Sequence, residues 1–255
     1  MRAYYQGYVG RHNSRISNNP NTVKETLKNI LPLGGLMERD CVDYLPSVVN
    51  GFFPHPVGMK ALDLGAGHGV AAMALAELGF QVAAFDMHRS SVSIVQKFAL
   101  KQELNISFGM GGILQVEQLN QKFDLIHDYD CLTQITCSAK RAHFLNAVRN
   151  SLATNGKFVL KTAALSAGFS PEDSFESIFL DENYTLWRQT PECDVEGVVE
   201  KGGKFWTAQK RVAPVEMIRQ ELKDAGLEIV MEEIETPRGN HPAILRLVLT
   251  SALGR

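Results

Sequence analysis

From Met59 onward, short apolar runs alternate with longer segments whose apolar residues recur at helical spacing. Strands of a parallel sheet are buried on both faces and are joined by helices, so this rhythm predicts β-α-β units. Because such crossovers are right-handed, helices are expected on both faces of the sheet. The predicted strands cover residues 60–64, 81–85, 106–108, 123–126 and 157–160, and the predicted helices cover residues 68–78, 90–101 and 139–152.

The pattern becomes regular again near the end of the chain. It predicts a helix over residues 214–225, a strand over residues 227–233 and a final strand over residues 244–250. The connection between those two strands is too short for a crossover helix, so they are expected to pair antiparallel. The predicted fold class is therefore α/β: a doubly wound, mostly parallel seven-stranded sheet whose last strand is antiparallel.

Two segments stand apart from this core of residues 58–165 and 214–255. Residues 1–57 contain an irregular arm and two predicted helices, over residues 21–31 and 38–50, and are expected to cap the functional site. Residues 166–213 are rich in aromatic and polar residues without a clear period, which indicates an insertion. We expect the insertion to form a lid over a bound substrate.

Composition narrows the class of protein. The chain has 255 residues, of which 45% are apolar and 21% are charged, as in ordinary soluble domains. A net charge of −2 disfavours a nucleic-acid or membrane-surface partner. No apolar run is long enough for a bilayer, no secretory signal is visible, and the four cysteines form no CxxC or zinc spacing. These features predict a cytoplasmic protein without a metal site.

The turn after the first predicted strand has glycines at alternate positions. It reads Ala61-Leu62-Asp63-Leu64-Gly65-Ala66-Gly67-His68-Gly69. Glycine permits positive φ angles and lets a ligand approach main-chain N–H groups. Asp86 follows the second predicted strand, where a carboxylate can accept hydrogen bonds from ribose hydroxyls. The combination indicates a nucleoside site at the carboxyl edge of a sheet, whereas the turn by itself is also compatible with a purely structural role.

The residue order in this turn separates two families of nucleoside-binding proteins. The nicotinamide fingerprint requires Gly or Ala at the position of Val70, which disfavours a dehydrogenase. Residues 62–69 resemble motif I of the class I S-adenosylmethionine-dependent methyltransferases. The resemblance extends over about residues 60–250, because the closing antiparallel strand is also typical of that family.

The resemblance implies a cofactor, S-adenosylmethionine, and residues that bind it. The glycine turn would line the methionine part, Asp86 would hold the ribose, and Met87 would pack on the adenine. The family commonly has Gly-Asp-Ala after the third strand; here the acidic residue is absent, which leaves a backbone contact from Ile113. The implied cofactor-binding residues are Asp63, Gly65, Ala66, Gly67, Gly69, Asp86, Met87, Gly112, Ile113 and His127.

The resemblance also implies where catalysis takes place. The sequence His127-Asp128-Tyr129-Asp130 follows the fourth predicted strand, at a position that in the family faces both cofactor and acceptor. Where an acceptor must lose a proton, His127 and Asp128 are the candidate bases. The alternative is that His127 is a strand-end residue that only bonds a neighbouring carbonyl group.

Aromatic residues are candidates for acceptor binding, because an aromatic face attracts a cation. The alternatives are a frayed terminus for the N-terminal tyrosines and simple packing for the aromatic residues of the insertion. The predicted acceptor-binding residues are Tyr4, Tyr5, Tyr8, Tyr129, Trp187 and Trp206.

The predicted function is methyl transfer from S-adenosylmethionine to O, N or S of a small-molecule acceptor. Three alternatives remain open at this point: a protein or RNA acceptor, a dehydrogenase, and a non-catalytic protein that binds the nucleoside. The absence of an RNA-binding module counts against RNA. A monomer or a homodimer is expected.

Overall fold

The computed structural model describes residues 36–87, 96, 99–100, 103–171, 177–191, 197–236 and 239–252. Five helices can be assigned in these ranges. Helix α1 is Leu36–Phe52, α2 is Val70–Glu77, α3 is Cys131–Gln134, α4 is Ser138–Ser151 and α5 is Val215–Asp224. A short 3-10 helix covers Ile113–Leu119.

A seven-stranded sheet forms the centre of the molecule. Its strands are β1 (Lys60–Leu64), β2 (Gln81–Asp86), β3 (Ile106–Met110), β4 (Phe123–Tyr129), β5 (Leu152–Ala164), β10 (Leu227–Glu235) and β11 (Ala243–Ser251). The strand order is β10-β11-β5-β4-β1-β2-β3. All neighbours from β3 to β5 are parallel, and β11 is antiparallel to both β5 and β10. The predicted fold class is confirmed.

The order of strands creates a crevice beside β1. From β1 the chain adds β2 and β3 on one side and then returns to add β4 and β5 on the other. At such a reversal the connecting segments leave in opposite directions and open a crevice at the carboxyl ends of the two central strands, where α/β proteins bind ligands. The glycine turn follows β1 and therefore lies at this crevice.

Alternating side chains of the sheet fill two separate cores. Ala61, Leu125 and Val159 pack with α1 and α2 on one face, whereas Leu62, Ile126 and Phe158 pack with α4 and α5 on the other. We call these the α1 face and the α4 face. Residues paired across neighbouring strands share a face, so the strand register states which functional side chains lie together.

Helix α2 differs from the predicted amphipathic helix. Its residues from Val70 to Leu75 are all buried. The reason is that α1 packs on it from outside: Leu45, Val48 and Val49 are buried in the same core. Leu45, Val48 and Val49 of α1 therefore contribute to the core on this face of the sheet, which the local pattern of α2 could not show.

Several predicted boundaries were too narrow. Strand β4 continues past Ile126 to Tyr129, β5 covers 13 residues, and β3 reaches Met110. Polar residues near the ends of β4 and β5, and Gly109 in β3, concealed these extensions from the hydrophobic pattern. The helices predicted over residues 21–31 and, for most of its length, 90–101 lie outside the described residues.

The insertion has an architecture that the sequence pattern did not predict. Strands β6 (Ile178–Leu180), β7 (Thr185–Thr190), β8 (Val198–Lys201) and β9 (Lys204–Arg211) form an antiparallel sheet in the order β6-β7-β9-β8. A register irregularity between Leu186 and Trp187 breaks the two-residue period.

No helix among the described residues is long and apolar enough to cross a membrane.

Candidate functional site

The glycine turn leaves strand β1 with an open backbone. Gly65, Gly67 and Gly69 all have positive φ angles, of 62°, 49° and 71°. A Cβ atom at Gly67 would meet nothing nearer than the carbonyl oxygen of Gly65 at 3.9 Å. The turn therefore exposes main-chain groups rather than side chains, as close approach of a ligand requires.

Asp86 is held against this turn. Its Oδ2 accepts a hydrogen bond from the backbone N–H of Gly67 at 2.8 Å, and the N–H of Ala66 donates to the carbonyl oxygen of Phe85 at 3.0 Å. The end of β2 and the glycine turn thus form one unit, although the partners are 19 residues apart in sequence. An ionised carboxylate has about four acceptor positions, so this contact is compatible with hydrogen bonds to a ribose.

The residues predicted beside the adenine include an exposed apolar side chain and a glycine with open space around it. Met87 follows β2 directly, and its side chain is 66% exposed. A Cβ atom at Gly112 would meet nothing within 4 Å, and Ile113 begins the 3-10 helix. An exposed methionine next to open backbone offers polarisable apolar surface, which suits contact with an aromatic base.

Asp63 and His127 form a buried pair. Strands β1 and β4 place them opposite each other on the α1 face, and Asp63 Oδ1 lies 2.7 Å from His127 Nδ1. His127 is 2% exposed. The second oxygen of Asp63, Oδ2, is buried and has no hydrogen-bond partner among the described residues. Such an orphaned acceptor next to the glycine turn is unusual in a folded protein and suggests a place for a donor from a ligand.

Asp128 lies on the opposite, α4 face and is fully buried. Its two oxygens accept hydrogen bonds from the N–H groups of Cys131 at 2.7 Å and Leu132 at 3.1 Å, so the carboxylate caps α3. Burial raises the pKa of Asp128 to about 7, against the opposing effect of the hydrogen bond from Cys131. The two predicted bases, His127 and Asp128, are therefore not brought together.

The structure adds a charged pair that sequence analysis missed. Lys161 Nζ lies 2.6 Å from Asp130 Oδ2 and 3.9 Å from the centre of the Tyr129 ring, which is paired with Lys161 across β4 and β5. His127 and Tyr129 have ring centres 6.5 Å apart on the same face. Lys161 directly follows the apolar strand predicted over residues 157–160, and a cation at this position was the available signal.

The aromatic residues of the insertion contact one another. The ring of Phe179 stacks on Trp187 at 6.3 Å and meets Trp206 edge-on at 4.7 Å. The indole N–H groups of Trp187 and Trp206 donate to Asp181 Oδ2 and the Lys201 carbonyl oxygen. Acceptor binding by these two tryptophans stays a prediction, and the predicted tyrosines, Tyr4, Tyr5 and Tyr8, lie outside the described residues.

Comparison with known families decides the class of protein. A family model described as a methyltransferase domain matches residues 55–222, which include the glycine turn, Asp86 and the Asp63–His127 pair. The chain belongs to this methyltransferase family. Together with the strand order, the match confirms the predicted class I S-adenosylmethionine-dependent methyltransferase family and its fold.

A curated relative of this methyltransferase-family chain is similar over a short segment only. It is the release factor glutamine methyltransferase of Flavobacterium psychrophilum, which is 40% identical over 70 residues. The match covers 27% of this chain and 25% of the relative, so the chain matches about a quarter of the relative's length.

Solved structures are similar over most of the methyltransferase fold. An S-adenosylmethionine-dependent methyltransferase from Clostridium acetobutylicum has a TM-score of 0.62 at 18% identity, and the match covers 91% of this chain and 98% of that one. The glycopeptide N-methyltransferase MtfA, complexed with S-adenosylmethionine, has a TM-score of 0.54 at 16% identity over 80% of this chain and 86% of that one. At these identities the likeness describes the fold.

Proposed function

We propose that this chain binds S-adenosylmethionine in the crevice after β1 and transfers its methyl group to O, N or S of a small-molecule acceptor. The observation that carries the proposal is the bond from the Gly67 N–H to Asp86 Oδ2, which joins the glycine turn to the carboxylate that suits a ribose. Family membership supports the same cofactor.

The site residues fit the cofactor in three places. The open backbone of Gly67 suits the methionine part, Asp86 suits the ribose hydroxyls, and Met87 suits the adenine. The orphaned Oδ2 of Asp63 is an acceptor suited to an ammonium group. When bound, S-adenosylmethionine supplies a methyl group on a sulfonium, which is already activated for displacement.

The protein is proposed to position the reacting groups and to supply a base that removes a proton from the acceptor. The carboxylate of Asp63 accepts the Nδ1–H of His127, which fixes the imidazole tautomer and leaves Nε2 as the basic nitrogen. Burial excludes bulk water and strengthens this hydrogen bond. We assign to His127 the removal of a proton from a hydroxyl, thiol or ammonium acceptor, and to Asp128 the capping of α3.

A small-molecule acceptor agrees with the charge of the chain. The formal net charge is −2, so no general field attracts a polyanion. On the α1 face, the carboxyl ends of β4 and β5 present Tyr129, Lys161 and Asp130, a compact group of polar side chains next to His127. A few polar groups in an otherwise apolar surrounding are typical of small-ligand sites.

A protein acceptor is the second candidate, because the similar curated protein is named for glutamine methylation in a release factor. The two candidates predict different substrates for the same donor site. Incubation with methyl-labelled S-adenosylmethionine, followed by separation of small molecules from protein, distinguishes them. If the label is found on an added protein, the acceptor is a protein and the small-molecule proposal is wrong, whereas the proposed donor site still holds.

Binding of the cofactor is tested first. S-adenosylhomocysteine at about a hundred times its dissociation constant should stabilise the folded chain by about 2.7 kcal/mol, whereas NAD should not. Thermal unfolding with each ligand measures the difference. Equal stabilisation by NAD, or none by S-adenosylhomocysteine, would contradict the proposed donor site.

A further inference from the structure

Asp130 joins β4 to α3 in a conformation that few residues adopt. Its φ and ψ angles are 65° and 9°, in the left-handed region, and it is the residue before the first turn of α3. Aspartate tolerates this region better than most residues, but at a cost that neighbouring contacts must offset. Backbone strain of this kind often occurs where a chain is held in position for function.

Lys161 contacts both the main chain and the side chain of Asp130. The backbone N–H of Asp130 donates to the carbonyl oxygen of Lys161 at 2.9 Å, and Lys161 Nζ lies 2.6 Å from Asp130 Oδ2. The Lys161 side chain is 9% exposed, so water screens this ion pair weakly. Removing either partner of this partly buried pair leaves the other charge unpaired where water screens it weakly, which is unfavourable.

The next residue, Cys131, contacts the glycine turn. Its Sγ donates to the carbonyl oxygen of Leu64 at 3.3 Å, and a Cβ atom at Gly65 would overlap this sulfur atom. Burial raises the pKa of the Cys131 thiol, and the charges of Asp128 and Asp63 raise it further, so the sulfur keeps its proton. The first glycine of the turn therefore rests against the residue that follows Asp130 in the chain, and the N–H of this residue also donates to Asp128 Oδ1 at 2.7 Å.

Resting on the proposed function, we infer that Lys161 is a positioning residue for the methyl donor: it fixes Asp130, Asp130 fixes Cys131, and Cys131 supports the turn at Gly65. The chain of contacts connects β5 to β1 across the end of β4. Lys161 need not touch the cofactor. Its loss should therefore change donor affinity although the cofactor contacts themselves are intact.

The first test compares two substitutions on the same strand. Lys161→Met removes the ammonium group, and Lys157→Met makes the same change nearer the start of β5, where Lys157 Nζ donates to the carbonyl oxygen of Asn155. Calorimetric titration with S-adenosylhomocysteine should show a loss of affinity of about tenfold for Lys161→Met, the size expected of a residue that acts through others, and less than about twofold for Lys157→Met. Unchanged affinity in Lys161→Met would overturn the inference.

Two further variants separate positioning from general stability. Lys161→Arg keeps a cation for Asp130 and should recover most of the affinity. Asp130→Asn keeps a residue that tolerates the left-handed region but leaves the Lys161 ammonium group without a charged partner, and it should weaken binding by itself. If Lys161 acts through Asp130, the double variant should bind no more weakly than Lys161→Met; additive losses would contradict the inference.

The result for the unsubstituted chain keeps the two proposals apart. Failure of the wild-type chain to bind S-adenosylhomocysteine would remove the proposed donor site, and the role of Lys161 with it. Binding by the wild type together with equal binding by Lys161→Met and Asp130→Asn would leave the donor site in place and overturn only the positioning role.

Discussion

The carboxylate of Asp63 and the imidazole of His127 meet at 2.7 Å between β1 and β4, although 64 residues separate them in sequence. The parallel register pairs the two residues, and both side chains are nearly inaccessible to water. A buried carboxylate and a buried histidine are each costly by themselves, and together they satisfy part of each other's hydrogen-bonding need.

His127→Gln should remove the proposed base. We expect turnover of an acceptor that must lose a proton to fall by about a hundredfold or more, while affinity for S-adenosylhomocysteine changes by less than about fivefold. Steady-state rates and calorimetric titration of the same preparation measure the two effects. Asp63→Asn should also lower turnover, because an amide can stabilise the wrong tautomer. Full turnover in His127→Gln would exclude the base role.

Asp86→Ala should weaken the donor site. Hydrogen bonds to a charged group contribute about 1.5 to 3 kcal/mol, so the dissociation constant for S-adenosylhomocysteine should rise by about tenfold to a hundredfold. Asp124→Ala is the matched control. Asp124 also accepts a hydrogen bond from a backbone N–H group, that of Lys60, at 2.8 Å, but it lies at the start of β4 and not at the carboxyl end of a strand. Titration showing equal affinities in both variants would contradict the ribose assignment.

Gly65→Ala tests the close contact between the turn and Cys131. Gly202 is the matched control: its φ is also 62°, but a Cβ atom there would meet nothing within 4 Å. Gly202→Ala should lower the free energy of unfolding by about 1 to 2 kcal/mol, which is the cost of placing alanine in the left-handed conformation. Gly65→Ala should lower it by about 1 to 3 kcal/mol more, because the added methyl group also overlaps Cys131. Urea unfolding measures both free energies. Adding Cys131→Ala should restore part of the loss in Gly65→Ala, and no restoration would argue against this contact as the cause.

Asp128 should make stability fall as the pH rises. Burial raises its pKa to about 7 in the folded chain from the ordinary value of 3.8, so the folded state binds more protons between these pH values. The free energy of unfolding therefore decreases with pH in this window. Between pH 5 and pH 8 the wild type should lose on the order of 2 kcal/mol more than Asp128→Asn, as measured by urea unfolding. Parallel pH profiles would contradict the raised pKa.

Local patterns were sufficient for much of the fold. The apolar runs of β1 and β2 are buried on both faces, and the short connection before β11 requires an antiparallel neighbour. The same patterns did not predict the four strands of the insertion. Strands β7 and β9 mix polar and apolar residues, and the irregularity at Leu186 and Trp187 shifts the alternation, so no simple period marks them.

The sequence by itself determined the glycine turn, the carboxylate at the end of β2 and the order of most strands and helices of the core, because these depend on neighbours along the chain. Only the tertiary structure decided which side chains meet. It paired Asp63 with His127, separated His127 from Asp128 onto opposite faces, and brought Lys161 to Asp130. The two contacts depend on the register between distant strands, and a shift of one residue would have moved these side chains to the other face. The separation of His127 from Asp128 depends on the continuation of β4 to Tyr129, because successive side chains of a strand alternate between its faces.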